Sequence, residues 1–497
     1  MSTQQASFVP AQETSRRDMA IILTMLVAAF VVILNETIMN VALPKLMVEL
    51  QVSASTVQWL ATAYMLVMAV LIPTTGFLIQ RFTTRTLFLS AMGLFTLGTL
   101  VAGIAPSFAV LLTGRVLQAS GTALILPLLT TTILGLIPVE RRGAMMGTVS
   151  IVISVAPAIG PTISGFILQS LSWRYMFLFV LPIALLMLAY SARYLVNVGE
   201  TRYASLDVPS VVLSALGFGG VVYGFSSAGE GGGSLLSAHV LLPVGIGLVS
   251  LVLFIWRQLR LPTPLLDLRA FVYPMFRMSV ILIMIVMMAL FSAAILLPIY
   301  LQNIREFSPL QTGLLLLPGG VLMGVASPIV GRLFDRFGPR VLTTVGASML
   351  SLILWLFSGL TADSSVALIL TISILFNGSL ALLFTPIFAT GLNQLPRSLY
   401  SHGSAIMSTL QQVAGAVGTA MLVTIMALRT AAYLSTAQQP SAPETLKAAQ
   451  TAGLQSAFLV ATGLAVLALC LTLLLRRSTP PVEDEAGVEL EMGVSLH

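Results

Sequence analysis

The sequence predicts an all-α polytopic membrane protein of fourteen helices in a six, two, six arrangement. Three observations carry that prediction: scarcity of charge, the number of long apolar runs, and a repeat relating the two ends of the chain. Of 497 residues, 57% are hydrophobic and 8% charged, against roughly 25% charged in a typical soluble domain. Mean hydropathy is +0.99. So few charges cannot cover a water-facing surface, and the bilayer is the main solvent. The net charge of +6 does not point to a nucleic-acid partner, because Lys and Arg stand in short clusters between apolar runs. Cys470, the sole cysteine, reads as an apolar filler, and His239, His402 and His497 are too dispersed for a metal site. No metal or cofactor is expected.

A membrane helix needs about 20 mostly apolar residues, while barrel strands are half as long and alternate. The first six runs start near Met19, Thr56, Thr86, Phe108, Ala144 and Tyr175; two more start near Val208 and His239. The last six start near Met278, Gln311, Val341, Val366, Gly403 and Leu454. The first run follows Arg16 and Arg17 but is too long, and followed by too many like it, for a cleavable signal. The expected divisions are a cytoplasmic segment 1–18, a six-helix bundle 19–195, and a two-helix insertion with its loops, 196–277. A second six-helix bundle, 278–477, and a disordered acidic tail, 478–497, complete the chain.

The basic residues test this count. With an even number of spans both termini share a side. Eighteen of the 24 Lys and Arg then lie on the termini side; Lys45, Arg174, Arg305, Arg429 and Lys447 lie opposite, and Arg115 falls inside a span. Basic loops stay cytoplasmic, so both termini are expected in the cytoplasm. The opposite connections are short except Thr430 to Thr451 and the Gly-rich "SSAGEGGGSLLS".

The repeat appears in "GFLIQRFTTR" (Gly76 to Arg85) and "GRLFDRFGPR" (Gly331 to Arg340), each after the second span of a six-span group. Gly143 of "ERRGAMMGT" and Gly403 of "YSHGSAIMST" each open a fifth span at nearly the same offset. Two related halves around a midplane site is a transporter design. There is no phosphate loop, metal cluster or hydrolytic triad, so an enzyme is not expected.

Five segments then resemble one family. "LNETIMNVALP" is similar to the first-span signature Leu-Asp-x-Thr-Ile-Val-Asn-Val-Ala-Leu-Pro of the fourteen-span drug/proton antiporters in the major facilitator superfamily. "GRLFDRFGPR" resembles that superfamily's loop signature, "LTGRVLQASG" its fourth-span signature, "APAIGPTISG" the antiporter fifth-span signature, and "WRYMFLFVLP" the opening of the sixth span. The resemblance covers nearly the whole chain. It implies the major facilitator fold and a multi-pass transporter of a bacterial plasma (inner) membrane that exports hydrophobic or cationic drugs. The proton gradient would supply its energy. Export of a single metabolite or lipid is the rival within transport, and a non-transporting receptor or scaffold is the rival outside it. A functional monomer is expected; the loops offer no obvious dock for a periplasmic adaptor. The departures are specific. Asn35 stands where the family has its first-span Asp, and the acid, Glu36, lies one place on, about 100° around the helix. In the first loop signature Gln80 replaces the usual Asp and Thr83 the second Gly; the second copy keeps Asp335 and Gly338.

The buried charges carry the candidate chemistry. Glu36 is the only acid well inside a span. By rise per residue, Glu36, roughly 17 residues into its span, and Arg115, roughly 7 into one running the other way, sit at comparable depth. A buried ion costs several kcal/mol unless paired or near water, so both should face an interior cavity. Desolvation favours the neutral acid and a guanidinium the ionised one, so one carboxylate could take a proton or a cationic drug in turn. Glu36 is therefore the candidate proton-coupling acid, with Arg115 its tuner and Gln118 a hydrogen-bonding neighbour one turn away. A simple latch between the first and fourth spans is the alternative.

Arg81, Arg85, Asp335, Arg336 and Arg340 are candidate gate residues, against the plainer reading of a solvated basic loop. Pro157, Gly160, Pro161 and Gly165 suggest a bent packing helix at the interface of the halves that limits proton leak, against ordinary helix packing. Candidate cavity residues are Asn35, Asn40, Gln58, Trp59, Tyr64, Asn377, Gln411 and Gln412. Several methionines, including Met284, Met287 and Met288, suit varied ligands, although most are expected in the core or facing lipid.

Overall fold

The computed structural model describes residues 16–52, 54–138, 141–198, 207–230, 237–437 and 442–476. No strand occurs among them. In lipid a backbone must satisfy its own polar groups, and these apolar runs do so as fourteen long helices. The first bundle is α1 (Arg16–Glu49), α2 (Ala54–Arg81), α3 (Thr84–Gly103), α4 (Phe108–Leu136), α5 (Arg142–Ser170) and α6 (Arg174–Tyr194). The inserted pair is α7 (Val208–Glu230) and α8 (Ala238–Gln258). The second bundle is α9 (Pro274–Ile299), α10 (Pro309–Phe337), α11 (Pro339–Ser358), α12 (Val366–Asn393), α13 (Tyr400–Thr436) and α14 (Pro443–Thr472).

The sequence places every helix start within four residues except one. α14 begins at Pro443, eleven residues before Leu454, and α13 runs on to Thr436. The expected long connection from Thr430 to Thr451 is therefore mostly helix. Its polar stretch "PETLKAAQ" is invisible to hydropathy, yet it forms α14's first turns, with Pro443 at the start and Glu444 favoured by the positive helix end. The proposed acidic tail and the segment 1–15 lie outside the described residues.

Sequence departures in the repeated loop have local reasons. Gly338 joins α10 to α11 at φ 78°, ψ −176°, a conformation open essentially to glycine alone. Thr83 sits instead in extended backbone at φ −67°, and its hydroxyl caps α3 by accepting from the Thr86 amide. The same turn is thus made once by glycine and once by a capping side chain.

The two bundles are built alike. α1 packs on α5 and α6, α3 on α4 and α6, and α2 on α4; each of these pairings recurs in the second bundle with eight added to both helix numbers. The halves meet along two related seams, α5–α10 and α2–α13. α7 lies over the second seam, packed on both α2 and α13, and α8 packs on α7. The insertion is tied down where α7 starts and α8 ends: Arg257 donates to both Asp207 carboxylate oxygens at 2.7 Å, and Asp207 also accepts from Ser210. Lys45, at the far end of α1, donates to the carbonyls of Leu168 and Leu171 at 2.9 and 3.2 Å, where α5's negative end favours a cation.

Candidate functional site

Asn35 turns towards α4, and Glu36 does not pair with it. Arg115 is 1% exposed; its guanidinium is held inside the bundle. It donates through Nε to the Leu60 carbonyl at 3.3 Å, and through Nη1 to Asn35 Oδ1 at 3.2 Å and Gln118 Oε1 at 3.1 Å. Its carbon lies 4.1 Å from the centre of the Tyr64 ring, a cation–π contact in a dry setting. Gln118 Nε2 passes the chain on to Thr99 Oγ1 at 2.9 Å, and Tyr64 donates to Thr122 Oγ1 at 2.7 Å. Gly98 makes this possible: a Cβ there would meet the Gln118 backbone nitrogen at 2.6 Å. The cation is thus dispersed over carbonyl and amide oxygens and a ring, with no carboxylate within 4 Å among the described residues. Leu60, Thr99 and Thr122 belong to this cluster and were not expected from the sequence.

Glu36 is half-buried, between two committed neighbours. Asn35 takes the Arg115 hydrogen bond; Thr37 faces α5, where its hydroxyl fills the place a Cβ on Gly160 would need. Glu36 points about 100° from each. The charge of its carboxyl group acts on Arg115 and Tyr64, while the residue as a whole is only partly covered. The register shift from the family signature therefore separates two tasks: an amide holds the arginine, and a free acid stands beside it.

The end of the bundle that carries both termini is sealed. Asp335, at the end of α10, accepts from the amides of Gly143 and Ala144 at 3.0 and 3.1 Å, so a carboxylate caps the positive start of α5 across the seam. At the related seam Gln80, at the end of α2, reaches the start of α13: its Nε2 lies 2.9 Å from His402 Nε2 and 3.3 Å from Ser401 Oγ. His402 is buried there, more than the helix-start residue its position suggests. Arg142 was also missed. It is buried, donates to Tyr400 Oη at 2.9 Å across the halves, and binds the Leu134 and Ile137 carbonyls at 2.6 and 3.1 Å where α4 ends. Deeper in, Ser150 and Thr385 hydroxyls meet at 2.9 Å between α5 and α12. At that level a void of about 20 Å³ lies between the halves, lined in part by Thr130 and Gln411. Among the described residues, no comparable packing joins α1 or α2 to α9.

The remaining candidates scatter. Arg85 binds Ala192 and Asn197 within the first half, and Arg336 and Arg340 are exposed, Arg336 stacking near Phe337. Arg81 is half-buried at α2's last turn. Asn35 and Tyr64, expected to line a cavity, are buried in the Arg115 cluster. Trp59 packs on Tyr223 of α7 with ring centres 5.8 Å apart, because the inserted helix covers that face of α2. Asn377 donates to Ser373 and packs against Gly319 inside the second half. Gln412 crosses the α2–α13 seam to the Met68 sulfur at 3.7 Å. In α5, Gly160 faces α1 of its own half, while Gly165 approaches Leu310 of α10. The tightest cross-half approach is instead at Gly143, Gly147 and Gly331. α5 runs unbroken past the half-buried Pro157. The side chains of Asn40, Gln58 and Pro161 lie outside the described residues.

Two pseudo-symmetric six-helix bundles, a buried arginine in the fourth helix and one closed end are the build of a membrane transporter of the twofold-repeat kind, and the chain belongs to the Major Facilitator Superfamily, whose profile matches residues 25–419. It is 45% identical over 451 residues to the lincomycin resistance protein LmrB of Bacillus subtilis, spanning 91% of this chain and 94% of that one. It is 29% identical over 393 residues to a multidrug resistance protein B homolog of Mycobacterium tuberculosis, spanning 78% and 73%. Among solved structures, the human organic anion transporter MFSD10 (TETRAN) superposes with a TM-score of 0.63 at 15% identity, over 92% of this chain and all of that one. That likeness concerns the fold.

Proposed function

We propose that the protein exports hydrophobic or cationic drugs across a bacterial plasma membrane, taking up protons in exchange. The relatives named for lincomycin and multidrug resistance support drug efflux, and the basic loops support a cytoplasmic position for the sealed end. The observation that carries proton coupling is the placement of Glu36. It is a partly covered acid, deep in a span, next to an arginine whose hydrogen bonds are met by Asn35, Gln118 and Leu60.

In this reading Glu36 binds a proton or a cationic substrate, never both. Protonation from the outer side discharges the drug. Opening of the Asp335 and Gln80 seams then exposes Glu36 to the cytoplasm, where the proton leaves and drug can bind. Arg115 does not neutralise the acid by contact, so its charge biases the acid without locking it. All these residues lie in one chain, so a monomer suffices. The test is resistance and dye efflux in cells carrying the wild type or Glu36→Gln, matched for membrane abundance. Wild-type resistance to several unrelated cationic compounds, collapsed by a protonophore and lost in Glu36→Gln, is expected. Protection against one compound alone would favour a dedicated exporter.

A further inference from the structure

We propose a binding site for an anionic phospholipid on the outer flank of the second bundle, at the termini-bearing end. A cleft of about 730 Å³ opens there between the start of α9, the end of α12 and the residues after α14. Arg277, in the first turn of α9, and Arg476, after the end of α14, line it from two separate segments. Both are exposed, and neither guanidinium has an ion-pair partner among the described residues. Gln394, which also lines the cleft, spends its Oε1 on the Met275 amide at 2.7 Å, leaving its NH2 group to donate. The positive end of α9 adds to this donor set. The ends of α12 and α14 bring partial negative charge, which two full cations outweigh.

The rest of the lining is apolar. Met278 and Ile281 lie on α9 one step and one full turn beyond Arg277 into the span, and Ile281 and Leu474 are 47% and 57% exposed. Guanidiniums at the level of the headgroups with bare aliphatic surface one turn deeper match a glycerophospholipid: phosphate above, acyl chain along Met278 and Ile281. A free phosphate would satisfy the arginines and gain nothing from the aliphatic wall. A zwitterionic headgroup would bring its own cation towards two others. The site is separate from the Glu36 cluster and does not depend on the transport reading.

The chain supplies one competitor. Glu483, Asp484 and Glu485 follow Arg476 by seven to nine residues, so the protein's own acidic segment is an outcome the test must separate. Full-length protein in neutral detergent is titrated with phosphatidylglycerol or phosphatidylcholine and read by native mass spectrometry. Competition with inorganic phosphate, a 1–477 truncation, and the variants Arg277→Ala/Arg476→Ala and Arg277→Lys/Arg476→Lys complete the set. The expected result is one phosphatidylglycerol held at least about tenfold more tightly than phosphatidylcholine, at roughly a factor of five per basic residue near the surface. This preference should be lost in the double alanine variant, kept in the double lysine variant, and unaffected by phosphate or truncation. Equal binding of the two lipids by the wild type, a preference that survives the double alanine change, or displacement by millimolar phosphate would overturn the proposal. So would phosphatidylglycerol binding that appears only after truncation, which would give the cleft to the acidic tail. The wild-type lipid comparison stands even where a variant fails to fold.

Discussion

Asp335→Asn should loosen the sealed end of the transporter by an amount the geometry sets. The Asp335 carboxylate accepts from two amides at the start of α5, at 3.0 and 3.1 Å. Hydrogen bonds to a charged group are worth about 1.5–3 kcal/mol. Asparagine keeps one acceptor oxygen but turns an NH2 group towards the second amide, and it removes the charge that favours a helix start. A loss of about 2 kcal/mol follows, which is roughly 30-fold in the equilibrium between sealed and open. The assay replaces Cys470 by serine and introduces a cysteine at Thr130, which lines the small void behind the gate. Labelling by a membrane-impermeant maleimide from the termini side should be slow in the parent and up to about 30-fold faster with Asp335→Asn. An unchanged labelling rate in a folded, fully expressed variant would refute the assignment of Asp335 to the gate.

The same contacts set three further outcomes. Gly331→Ala would drive a methyl into the Gly143 carbonyl, backbone that cannot swing aside; it should cut efflux more than tenfold while thermal stability of each half is kept, measured by transport and by melting. Asn35→Asp would put a carboxylate about where Asn35 Oδ1 now lies, 3.2 Å from Arg115 Nη1; a direct buried ion pair should hold the arginine and move the pH dependence of efflux, read as a pH profile against the wild type. For Asp207, the hydrogen bonds from Arg257 chiefly, and those from Ser210, hold the carboxyl down at about 2. The pKa is lower in the folded state, so the stabilisation is full above the ordinary carboxylate range and fades as pH falls from about 4 towards 2. Hydrogen exchange in α7 should therefore rise over that window, and Asp207→Asn should abolish the dependence.

The helix count was legible because apolar length is what a bilayer selects, and the start of α14 was not because its first turns are polar. The candidate acid and arginine were legible as the charges farthest from water. Which of Asn35 and Glu36 meets Arg115 was not, since it depends on the rotation of α1, set by Gly160 against Thr37 rather than by any local pattern. The cross-half contacts of the sealed end were half legible. The repeated loop pointed to Asp335, but Arg142 read as one more basic loop residue until its burial against Tyr400 appeared. The partnership of Gln80 with His402 spans 322 positions. A signal for it did exist: the matched offsets of the loop and of Gly143 with Gly403 imply that whatever Asp335 does to α5, Gln80 does to α13. Trp59 was misplaced because an inserted pair of helices leaves no mark on the helix it covers.

The central claim is that Glu36 carries the coupling proton, and drug-driven proton movement tests it most directly. Sealed vesicles of defined orientation holding a pH-sensitive dye are given a cationic substrate in the absence of an imposed gradient. Wild-type protein should move protons against the drug, and Glu36→Gln, at equal abundance, should bind the drug or not but move no protons. Undiminished proton movement in the Glu36→Gln vesicles would contradict the account.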